Sequence, residues 1–459
     1  IPSCTDHMAT LDLSRPQRVH VVAVGGAAMS AMALILDALG HRVTGSDDVE
    51  TPFIRGLRER DIRVSIGYDA ANVGDAELVA VSTGVRDENP EVVAARAAGI
   101  PVVARPELQG AIAALRRTVA VAGTHGKTTT TAMLALALVD AGLEPSVIVG
   151  GVVAGLDSAS GWYGDGPFVV EADESDGTFL RLGANAVIVT NVEADHLDHW
   201  GDLAALRAAF VSFVEAASGP RVLCADDAGA AAIAAAVDRC TTYGTDEASD
   251  YRLVDGVVHC PDGEEIGLDV PIPGLHNARN ATAAFAMADL LGADRLAVAR
   301  SLASFPGVAR RYEHRGEAGG ITFVDSYDHL PSEVRAVLAA SRQPGRRVVC
   351  VFQPHRYTRT RDLHREFGDA FDDADVVAIT DIYPAGQQPI EGVSGKLVVD
   401  AILEARPWKR VAWLPARRDV RTWLLAELRP GDLCLTLGAG DLTTLPDEII
   451  DAVRARSAG

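Results

Sequence analysis

Positive charge is scarce in this sequence. Across 459 residues, 42 Lys and Arg stand against 63 Asp and Glu, which gives a formal net charge of −21. Because such a surface repels polyanions, the chain is not expected to be a general binder of nucleic acid or of anionic membranes. Any anionic substrate must therefore meet basic groups that are concentrated locally.

Cysteine pairs and long apolar runs are also missing. The 6 cysteines include no C-x-x-C pair, which argues against a disulfide framework and a structural zinc site. No apolar run approaches the ~20 residues of a membrane span, and residues 1–16 lack the apolar core of a signal peptide. These absences predict a cytoplasmic protein. The cysteines are Cys4, Cys224, Cys240, Cys260, Cys350 and Cys434.

Short apolar segments alternate with helical ones, which predicts an α/β protein with mostly parallel sheets. At ~150 residues per domain, the length suggests about three domains. We expect boundaries near residues 110 and 314, and an insertion with a hairpin over the acidic stretch 244–269. The expected strands are 19–24, 42–47, 77–82 and 100–104, then 118–123, 168–173, 186–191 and 221–226, then 321–326, 347–352, 375–380, 410–415 and 432–441.

The segment VAVAGTHGKTTTT, residues 119–131, is typical of a phosphate-binding loop. Backbone N–H groups at a glycine turn and a helix N-terminus attract phosphate, Lys127 adds a point charge, and Thr128 offers a hydroxyl to magnesium. Gly123 and Gly126 are closer together than in the usual G-x-x-x-x-G-K-[ST] motif. The alternative is an ordinary turn between a strand and a helix, but the Gly-Lys-Thr triplet favours ATP.

Two later segments carry clustered acids at expected strand ends, FVVEADESDG (168–177) and VIVTNVEADHLDHW (187–200). Ligands collect at the carboxyl ends of parallel strands, and magnesium held by carboxylate and imidazole lets two polyanions approach each other. The alternative for each segment is a solvated acidic loop with capping Asp residues. Their occurrence beside a phosphate loop favours a magnesium site.

These motifs are followed by PIPGLHNARNATAA (271–284), FPGVARR (305–311), VDSYDHLPSEV (324–334) and VFQPHRYTRTRD (351–362). Together, over residues 18–441, they resemble the Mur ligases. The resemblance implies a Rossmann-like, UDP-sugar-binding domain over 1–109, a central P-loop ATPase domain with a mostly parallel sheet over 110–314, and a Rossmann-like, amino-acid-binding domain over 315–459. It also implies a small-molecule enzyme that is a monomer or a homodimer.

FQPHRYTRT resembles the members of that family that add alanine. The activity implied is an ATP-dependent amide ligation of L-alanine to the lactyl carboxylate of UDP-N-acetylmuramate, through an acyl phosphate, in peptidoglycan synthesis. An acyl phosphate has a good leaving group, whereas a carboxylate is a poor electrophile. A carbamylated lysine, which other members carry after DHLD, is not expected because no lysine lies between Lys127 and Lys396.

The resemblance implies roles for named residues around ATP and two magnesium ions. Lys127 is expected on the β and γ phosphates, Thr128 and Glu174 on one ion, and His196 on the other. Adenine is expected at Asn280 and His276, and ribose at Asp325, while Arg311 reaches phosphate. The rest of the expected ATP loop is Gly123, Thr124, His125, Gly126 and Thr129.

The same resemblance places the amino acid against His355, Arg356 and Arg359, with Tyr327 and His329 in the same pocket. Two planar guanidinium groups suit a carboxylate, and positions 356 and 359 share a face if the segment is helical. His329 is a candidate base. The alternative is a solvated basic helix face.

The expected UDP loop departs from the family, since AVGGAAMSA (23–31) has Ala23, Ala28 and Ala31 where glycine is usual. Each added Cβ restricts positive φ and close backbone approach, so diphosphate binding is in question. Asp47 is expected to contact uridine or ribose, or to cap a turn. The expected contacts are Gly25, Gly26, Ala27, Ala28, Met29, Ser30 and Asp47.

A second departure is Asp328-His329-Leu330, where two adjacent histidines are common in the family. A carboxylate near the incoming amine changes the amino acid accepted, unless Leu330 simply packs inward. The alternatives to the alanine ligase are a related ligase with other substrates and a nucleotide-binding protein without ligase activity. An NAD-dependent oxidoreductase fits Lys127 and His196 poorly.

Overall fold

The computed structural model describes residues 11–153, 161–162 and 164–457. Cys4 and the start of the segment weighed as a signal peptide lie outside this range. The described residues form three sheets in two compact units, one from the described residues up to 271 together with 278–306, the other from residues 272–277 together with the described residues from 307 onward. The predicted α/β class and the mostly parallel pairing are confirmed. In the described part of the chain, no helix is both long and apolar enough to cross a bilayer.

The first sheet is parallel and has the order β3-β2-β1-β4-β5. The order reverses beside β1, where ligands commonly bind at strand ends. The edge strand β3 escapes sequence prediction because it is short and its Ile66 is exposed. The strands are β1 (Arg18–Val22), β2 (Arg42–Asp47), β3 (Arg63–Ile66), β4 (Leu78–Val81) and β5 (Val102–Ala104), and the helices are α1 (Ala27–Ala38), α2 (Pro52–Arg58), α3 (Pro90–Ala97) and α4 (Arg105–Ala113).

The second sheet has the order β15-β14-β13-β12-β11-β10-β6-β9-β7-β8. Its strands are β6 (Thr118–Ala122), β7 (Ser146–Ile148), β8 (Gly161–Trp162), β9 (Phe168–Glu171), β10 (Ala186–Val189), β11 (Arg221–Cys224), β12 (Thr241–Gly244), β13 (Tyr251–Val254), β14 (Val257–His259) and β15 (Glu265–Gly267). Its helices are α5 (Lys127–Asp140), α6 (Leu197–Trp200), α7 (Leu203–Ala216), α8 (Ala228–Ala236), α9 (Leu275–Leu290) and α10 (Arg295–Ala303).

The fully buried strand β6 lies in the middle of this sheet. It pairs in parallel with β10 on one side and with β9 on the other. The phosphate loop after β6 and the acidic segments after β9 and β10 therefore meet at one edge of the sheet. At the far end, β13, β14 and β15 pair antiparallel, which confirms the hairpin predicted within residues 244–269.

The third sheet has the order β16-β17-β21-β18-β19-β20, and only β16 is antiparallel among the described strands. Segments that follow β17, β18 and β21 therefore share one edge. Strand β16 was not predicted, because its residues are mostly polar. The strands are β16 (Glu313–Ala318), β17 (Ile321–Ser326), β18 (Val348–Phe352), β19 (Val376–Ile379), β20 (Val411–Trp413) and β21 (Leu433–Leu437), and the helices are α11 (Pro331–Ser341), α12 (Tyr357–Leu363), α13 (Lys396–Ala405), α14 (Arg417–Glu427) and α15 (Leu445–Ser457).

The alanines that stand in place of glycine in the expected UDP loop, residues 23–31, differ in backbone conformation. Ala23 adopts a φ of 59°, in the left-handed region that favours glycine. Ala31 lies inside α1 and is fully buried, so a helical alanine is well suited there. The strain expected from these substitutions is therefore confined to Ala23 rather than shared by the loop.

We expect Ala23→Gly to raise the free energy of unfolding by about 1 kcal/mol, because glycine relieves the left-handed conformation. Urea unfolding followed by tryptophan fluorescence measures the change. Ala31→Gly is the matched control and should lower stability by about 1 kcal/mol or more, since it places glycine inside a helix. A lower stability for Ala23→Gly would contradict the assignment of strain to this residue.

Candidate active site

The phosphate loop is fixed by the chain that follows β10. The backbone N–H of Thr124 donates to the Asn191 carbonyl at 3.1 Å, and that of His125 donates to Asn191 Oδ1 at 2.7 Å. Asn191 Nδ2 and Thr190 Oγ1 both donate to the His125 carbonyl, at 3.1 and 2.6 Å. His125 Nε2 lies 3.1 Å from Glu193 Oε2. Asn191 and Glu193, two of the clustered polar residues after β10, thus hold the loop in shape.

Two glycines let the loop approach its neighbours closely. Gly126 has a φ of 77° and directly precedes α5, which begins at Lys127 as predicted. A Cβ on Gly126 would lie 2.7 Å from Asn280 Oδ1, so the buried Asn280 of α9 packs against this turn. A Cβ on Gly123 would lie 3.0 Å from the Asn191 backbone. The N–H groups in the first turn of α5 have no carbonyl acceptors within their own helix, so they are available to a phosphate.

Lys127 and Glu174 form the central charge pair. Lys127 Nζ donates to Glu174 Oε1 and Oε2 at 3.1 and 2.9 Å, and to the Gly123 carbonyl at 2.5 Å. Glu174 is 2% exposed, and its own carbonyl accepts from Trp200 Nε1 at 2.9 Å. Burial lowers the pKa of Lys127, but the charges of Glu174 and Asp173 outweigh it and raise that pKa overall. The ammonium therefore stays charged.

Asp173 and His196 belong to the same electrostatic cluster. Burial raises the pKa of Asp173, yet Lys127, two hydrogen bonds from Ser175 and the charge of His196 lower it overall. His196 has a φ of 54° and directly precedes α6, and its Nε2 lies 3.4 Å from Asp195 Oδ2. Thr128 is buried in the first turn of α5. The predicted magnesium residues therefore occupy one edge of the sheet, although no group of three or more metal-ligating side chains occurs among the described residues.

The start of α1 forms the expected UDP loop. The Gly25 N–H donates to Asp47 Oδ2 at 2.7 Å, and a Cβ on Gly25 would lie 2.8 Å from that oxygen. Burial raises the pKa of Asp47, although the hydrogen bonds from Gly25 and Val49 oppose that rise. Ser30 Oγ donates to the Ala27 carbonyl at 3.0 Å. Asp47 thus shapes the turn, while Gly26, Ala27, Ala28 and Met29 form the helix N-terminus.

The segment HNARN opens α9. Asn277 Nδ2 donates to the Pro273 carbonyl at 2.7 Å, so this asparagine fixes the start of the helix. A Cβ on Gly274 would lie 2.8 Å from His276 Nδ1, which places the imidazole against that turn. His276 belongs to the second compact unit and Asn280 to the first.

In the second compact unit, Asp325 is fully buried at the end of β17. Its oxygens accept from Thr436 Oγ1 at 2.6 Å and from Thr443 Oγ1 at 2.8 Å, and Arg310 Nε lies 3.5 Å away. The Arg310 Nη2 also donates to the Gly438 carbonyl at 2.7 Å. In this arrangement Asp325 joins the chain after β21 to β17 and presents no surface to a ribose.

Tyr327 lies beside two guanidinium groups. The Cζ atoms of Arg310 and Arg311 each lie 4.9 Å from the centroid of its ring, within cation–π range. Arg310 has a φ of 61°, and its carbonyl accepts from the Tyr327 N–H at 2.8 Å. The predicted residues Arg311 and Tyr327 are therefore in contact, and Arg310, which sequence reasoning missed, supports both.

The predicted amino-acid residues meet around two histidines. The rings of His329 and His355 lie 5.2 Å apart, and Tyr327 is 5.5 Å from His329. His329 Nδ1 lies 3.0 Å from the Tyr327 carbonyl, which leaves Nε2 as the acceptor of a neutral ring. Arg359 Nη1 donates to His355 Nδ1 at 2.9 Å. Tyr383, which was not predicted, stacks on His355 at 5.9 Å.

Arg356 is not in the helix that carries Arg359, so the shared helical face considered for this pair does not exist. Arg356 has a φ of 65° and precedes α12, which begins at Tyr357. Its N–H donates to the Tyr383 carbonyl at 2.9 Å, and its Nε is buried without a partner among the described residues. Arg359 is buried, which also argues against a solvated basic face.

At the second departure from the family, Asp328-His329-Leu330, the Leu330 side chain packs inward. Asp328 accepts a hydrogen bond from Ser326 Oγ, which itself accepts from the Tyr312 N–H at 3.0 Å. Leu330 is 4% exposed. Glu333 Oε2 accepts from the N–H groups of His329 and Leu330 at 2.8 and 2.9 Å and so fixes the start of α11.

A phosphate loop beside buried acidic residues, in a chain with a further parallel sheet, defines a nucleotide-dependent α/β enzyme. Family models of the Mur ligase catalytic domain, middle domain and glutamate ligase domain match residues 18–117, 164–288 and 310–440. The chain belongs to the Mur ligase family.

Individual relatives cover nearly the whole chain. It is 45% identical to the UDP-N-acetylmuramate–L-alanine ligase of Kineococcus radiotolerans, over 97% of this chain and 98% of the relative. It is also 45% identical to the enzyme of that name from Myxococcus xanthus, over 95% of each chain. The crystal structure of the UDP-N-acetylmuramate-alanine ligase of Thermotoga maritima has a TM-score of 0.80 and 29% identity, and the match covers 96% of this chain and all of that one.

We expect Asn191→Ala to weaken ATP binding about tenfold, because the phosphate loop loses the hydrogen bonds that Asn191 exchanges with His125. Asn191→Asp keeps the acceptor for the His125 N–H, but it places a carboxylate oxygen against the His125 carbonyl and a negative charge beside the triphosphate, so its affinity should be no higher than that of Asn191→Ala. Isothermal titration with a non-hydrolysable ATP analogue and magnesium measures both. Wild-type affinity in Asn191→Ala would show that the loop does not need this support.

Proposed function

We propose that this chain is an ATP-dependent ligase that joins L-alanine to the lactyl carboxylate of UDP-N-acetylmuramate, in the synthesis of peptidoglycan precursors. The observation that carries this proposal is the Lys127–Glu174 pair beside the phosphate loop, in a chain 45% identical to ligases of that name. The pair offers a cation to a triphosphate and a carboxylate to a metal ion.

Lys127 holds the β and γ phosphates, and the loop of Gly123, Thr124, His125, Gly126, Thr128 and Thr129 surrounds them. Glu174 and Thr128 would hold one magnesium ion and His196 a second, because so few protein ligands leave positions for phosphate oxygens and water. When bound, magnesium neutralises the charge of the two approaching polyanions. With both ligands bound, Lys127 would exchange Glu174 for phosphate, and the Glu174 carboxylate would then be available to hold the cation.

The reaction splits into two displacements. A carboxylate oxygen of the sugar acid attacks the γ-phosphorus, the bond to the β–γ bridging oxygen breaks, and ADP leaves. The amine nitrogen then attacks the acyl carbon, an amide bond forms, and inorganic phosphate leaves. The nitrogen gives up a proton, for which His329 Nε2 is our candidate acceptor because Nδ1 is engaged by the Tyr327 carbonyl.

The remaining assignments follow the family motifs. Tyr327, His355, Arg356 and Arg359 receive the amino acid, and the arginines bind its carboxylate. Adenine lies against Asn280 and His276, and the UDP diphosphate at the start of α1. Asp325 binds ribose only if the hydrogen bonds of its carboxylate rearrange, and Arg311 leaves the Tyr327 ring to reach phosphate.

The domain ranges 1–109, 110–314 and 315–459 and the cytoplasmic location of the reaction belong to the same proposal, as does a monomer or a homodimer as the working form.

Phosphate release by the purified protein with ATP, magnesium, UDP-N-acetylmuramate and each amino acid in turn tests the proposal. Release should require both the sugar nucleotide and L-alanine, and Lys127→Ala should abolish it because the γ-phosphate loses its charge partner. Release that needs neither co-substrate would support a simple nucleoside triphosphatase. Release with another amino acid would support a related ligase.

We expect Arg359→Ala to raise the KM for L-alanine about tenfold or more, with a smaller effect on kcat, since it removes a charged contact to the bound amino acid. Steady-state kinetics at saturating ATP and UDP-N-acetylmuramate measure the two constants. Arg361→Ala is the control, because this exposed arginine of α12 pairs only with its neighbour Asp362 among the described residues. An unchanged KM in Arg359→Ala would remove the arginine from the pocket.

A further inference from the structure

A cavity of about 250 Å³ lies within the first compact unit and was not predicted from the sequence. Its walls come from the start of α1 with Ala27 and Ala28, from α4 with Arg105 and Gln109, and from Glu171 at the end of β9 with Asp173 just after it. It therefore extends from the expected UDP loop to the acidic segment that contacts Lys127. A long ligand with two anionic ends would fit this path.

Arg105 is the only positively charged residue among the described residues that line this cavity. Its side chain is 22% exposed, and its Nε is buried with no hydrogen-bond partner in the described part of the chain. Its closest carboxylate contact is Asp176 Oδ2, 4.0 Å from Nη2, which is too long for a hydrogen bond. The guanidinium thus retains donors for a ligand in a cavity whose other charged residues, Glu171 and Asp173, are acidic.

The start of α4 holds Arg105 in place. Pro106 occupies the first turn, and Glu107 Oε2 accepts from the Ala104 N–H at 3.2 Å. One turn later, Gln109 Nε2 lies 3.4 Å from the Glu171 carbonyl, which joins the helix to the end of β9. The arginine is therefore positioned against the acidic segment before any substrate arrives.

We propose that Arg105 binds the carboxylate of the sugar acid that is phosphorylated. This inference rests on the proposed function, which requires a carboxylate to approach the γ-phosphate near Lys127. Apart from Arg105, the charged side chains that line the cavity are Glu171 and Asp173, which repel a carboxylate. Arg105 supplies the opposite charge and two parallel donors, which match a carboxylate in geometry as well as in sign.

The direction of the guanidinium distinguishes the carboxylate from the diphosphate as its ligand. Arg105 reaches toward Asp176, in the same loop as Asp173 and Glu174 and therefore toward the reacting end of the cavity. The diphosphate already has the N-terminus of α1, a helix of 12 residues, as its expected site. The two anionic ends of the substrate thus meet different groups.

Binding of two sugar nucleotides tests this assignment, UDP-N-acetylmuramate and UDP-N-acetylglucosamine, which lacks the lactyl carboxylate. Isothermal titration is done on the full chain with magnesium and a non-hydrolysable ATP analogue. Arg105→Gln should weaken binding of the acid about 10- to 100-fold and leave that of the neutral sugar within about twofold. Arg105→Lys should recover part of the loss. Arg96→Gln, an exposed arginine of α3 paired with Asp87, is the charge-matched control and should change neither.

The outcomes separate the inference from the proposed function. If the wild type binds neither sugar nucleotide, the proposed function fails. If the wild type binds the acid and Arg105→Gln weakens both ligands equally, Arg105 contacts the diphosphate or supports the fold, and the inference is wrong. Unchanged binding of the acid by Arg105→Gln overturns it as well. Thermal unfolding of each variant identifies any that does not fold, and Arg105→Lys then provides the comparison.

Discussion

The active site depends on one buried ion pair, Lys127 with Glu174, at the carboxyl ends of two neighbouring strands. Breaking such a pair by removing one partner leaves a buried charge without compensation, which typically costs about 3–5 kcal/mol. Under the proposed function, a triphosphate with magnesium would remove neither charge but would give each group a new partner. Lys127 and Glu174 therefore hold each other in place, and under the proposed function this contact organises the site for phosphoryl transfer before ATP binds.

In each compact unit, buried or half-buried polar side chains hold segments that contain candidate site residues. Asn191 holds the phosphate loop through its side chain and backbone, and Asp47 holds the turn at Gly25. Asp325, with Arg310, holds the chain after β21 in the second unit. Polar residues at or near strand ends thus position the neighbouring segments in both units.

The sequence predicted the sheets and the phosphate loop well because buried parallel strands read as continuous apolar runs and the loop has a spaced motif. It could not predict β3 and β16, whose exposed edge positions carry ordinary polar residues. The sequence could not distinguish a ribose-binding Asp325 from a buried Asp325 that holds neighbouring segments together, because either role needs a carboxylate at the end of a strand. Arg105 and Tyr383 lie in no recognised motif, and nothing local distinguishes Arg310 from Arg311 within FPGVARR. Only tertiary contact reveals these three residues.

The most direct test of the account is a crystal structure with a non-hydrolysable ATP analogue, UDP-N-acetylmuramate and manganese in place of magnesium, in which anomalous scattering locates the cations. The account predicts a cation about 2.1 Å from a Glu174 oxygen, with Lys127 moved to the β and γ phosphates. A cation remote from Glu174, with the Lys127–Glu174 contact intact beside a bound triphosphate, would contradict it.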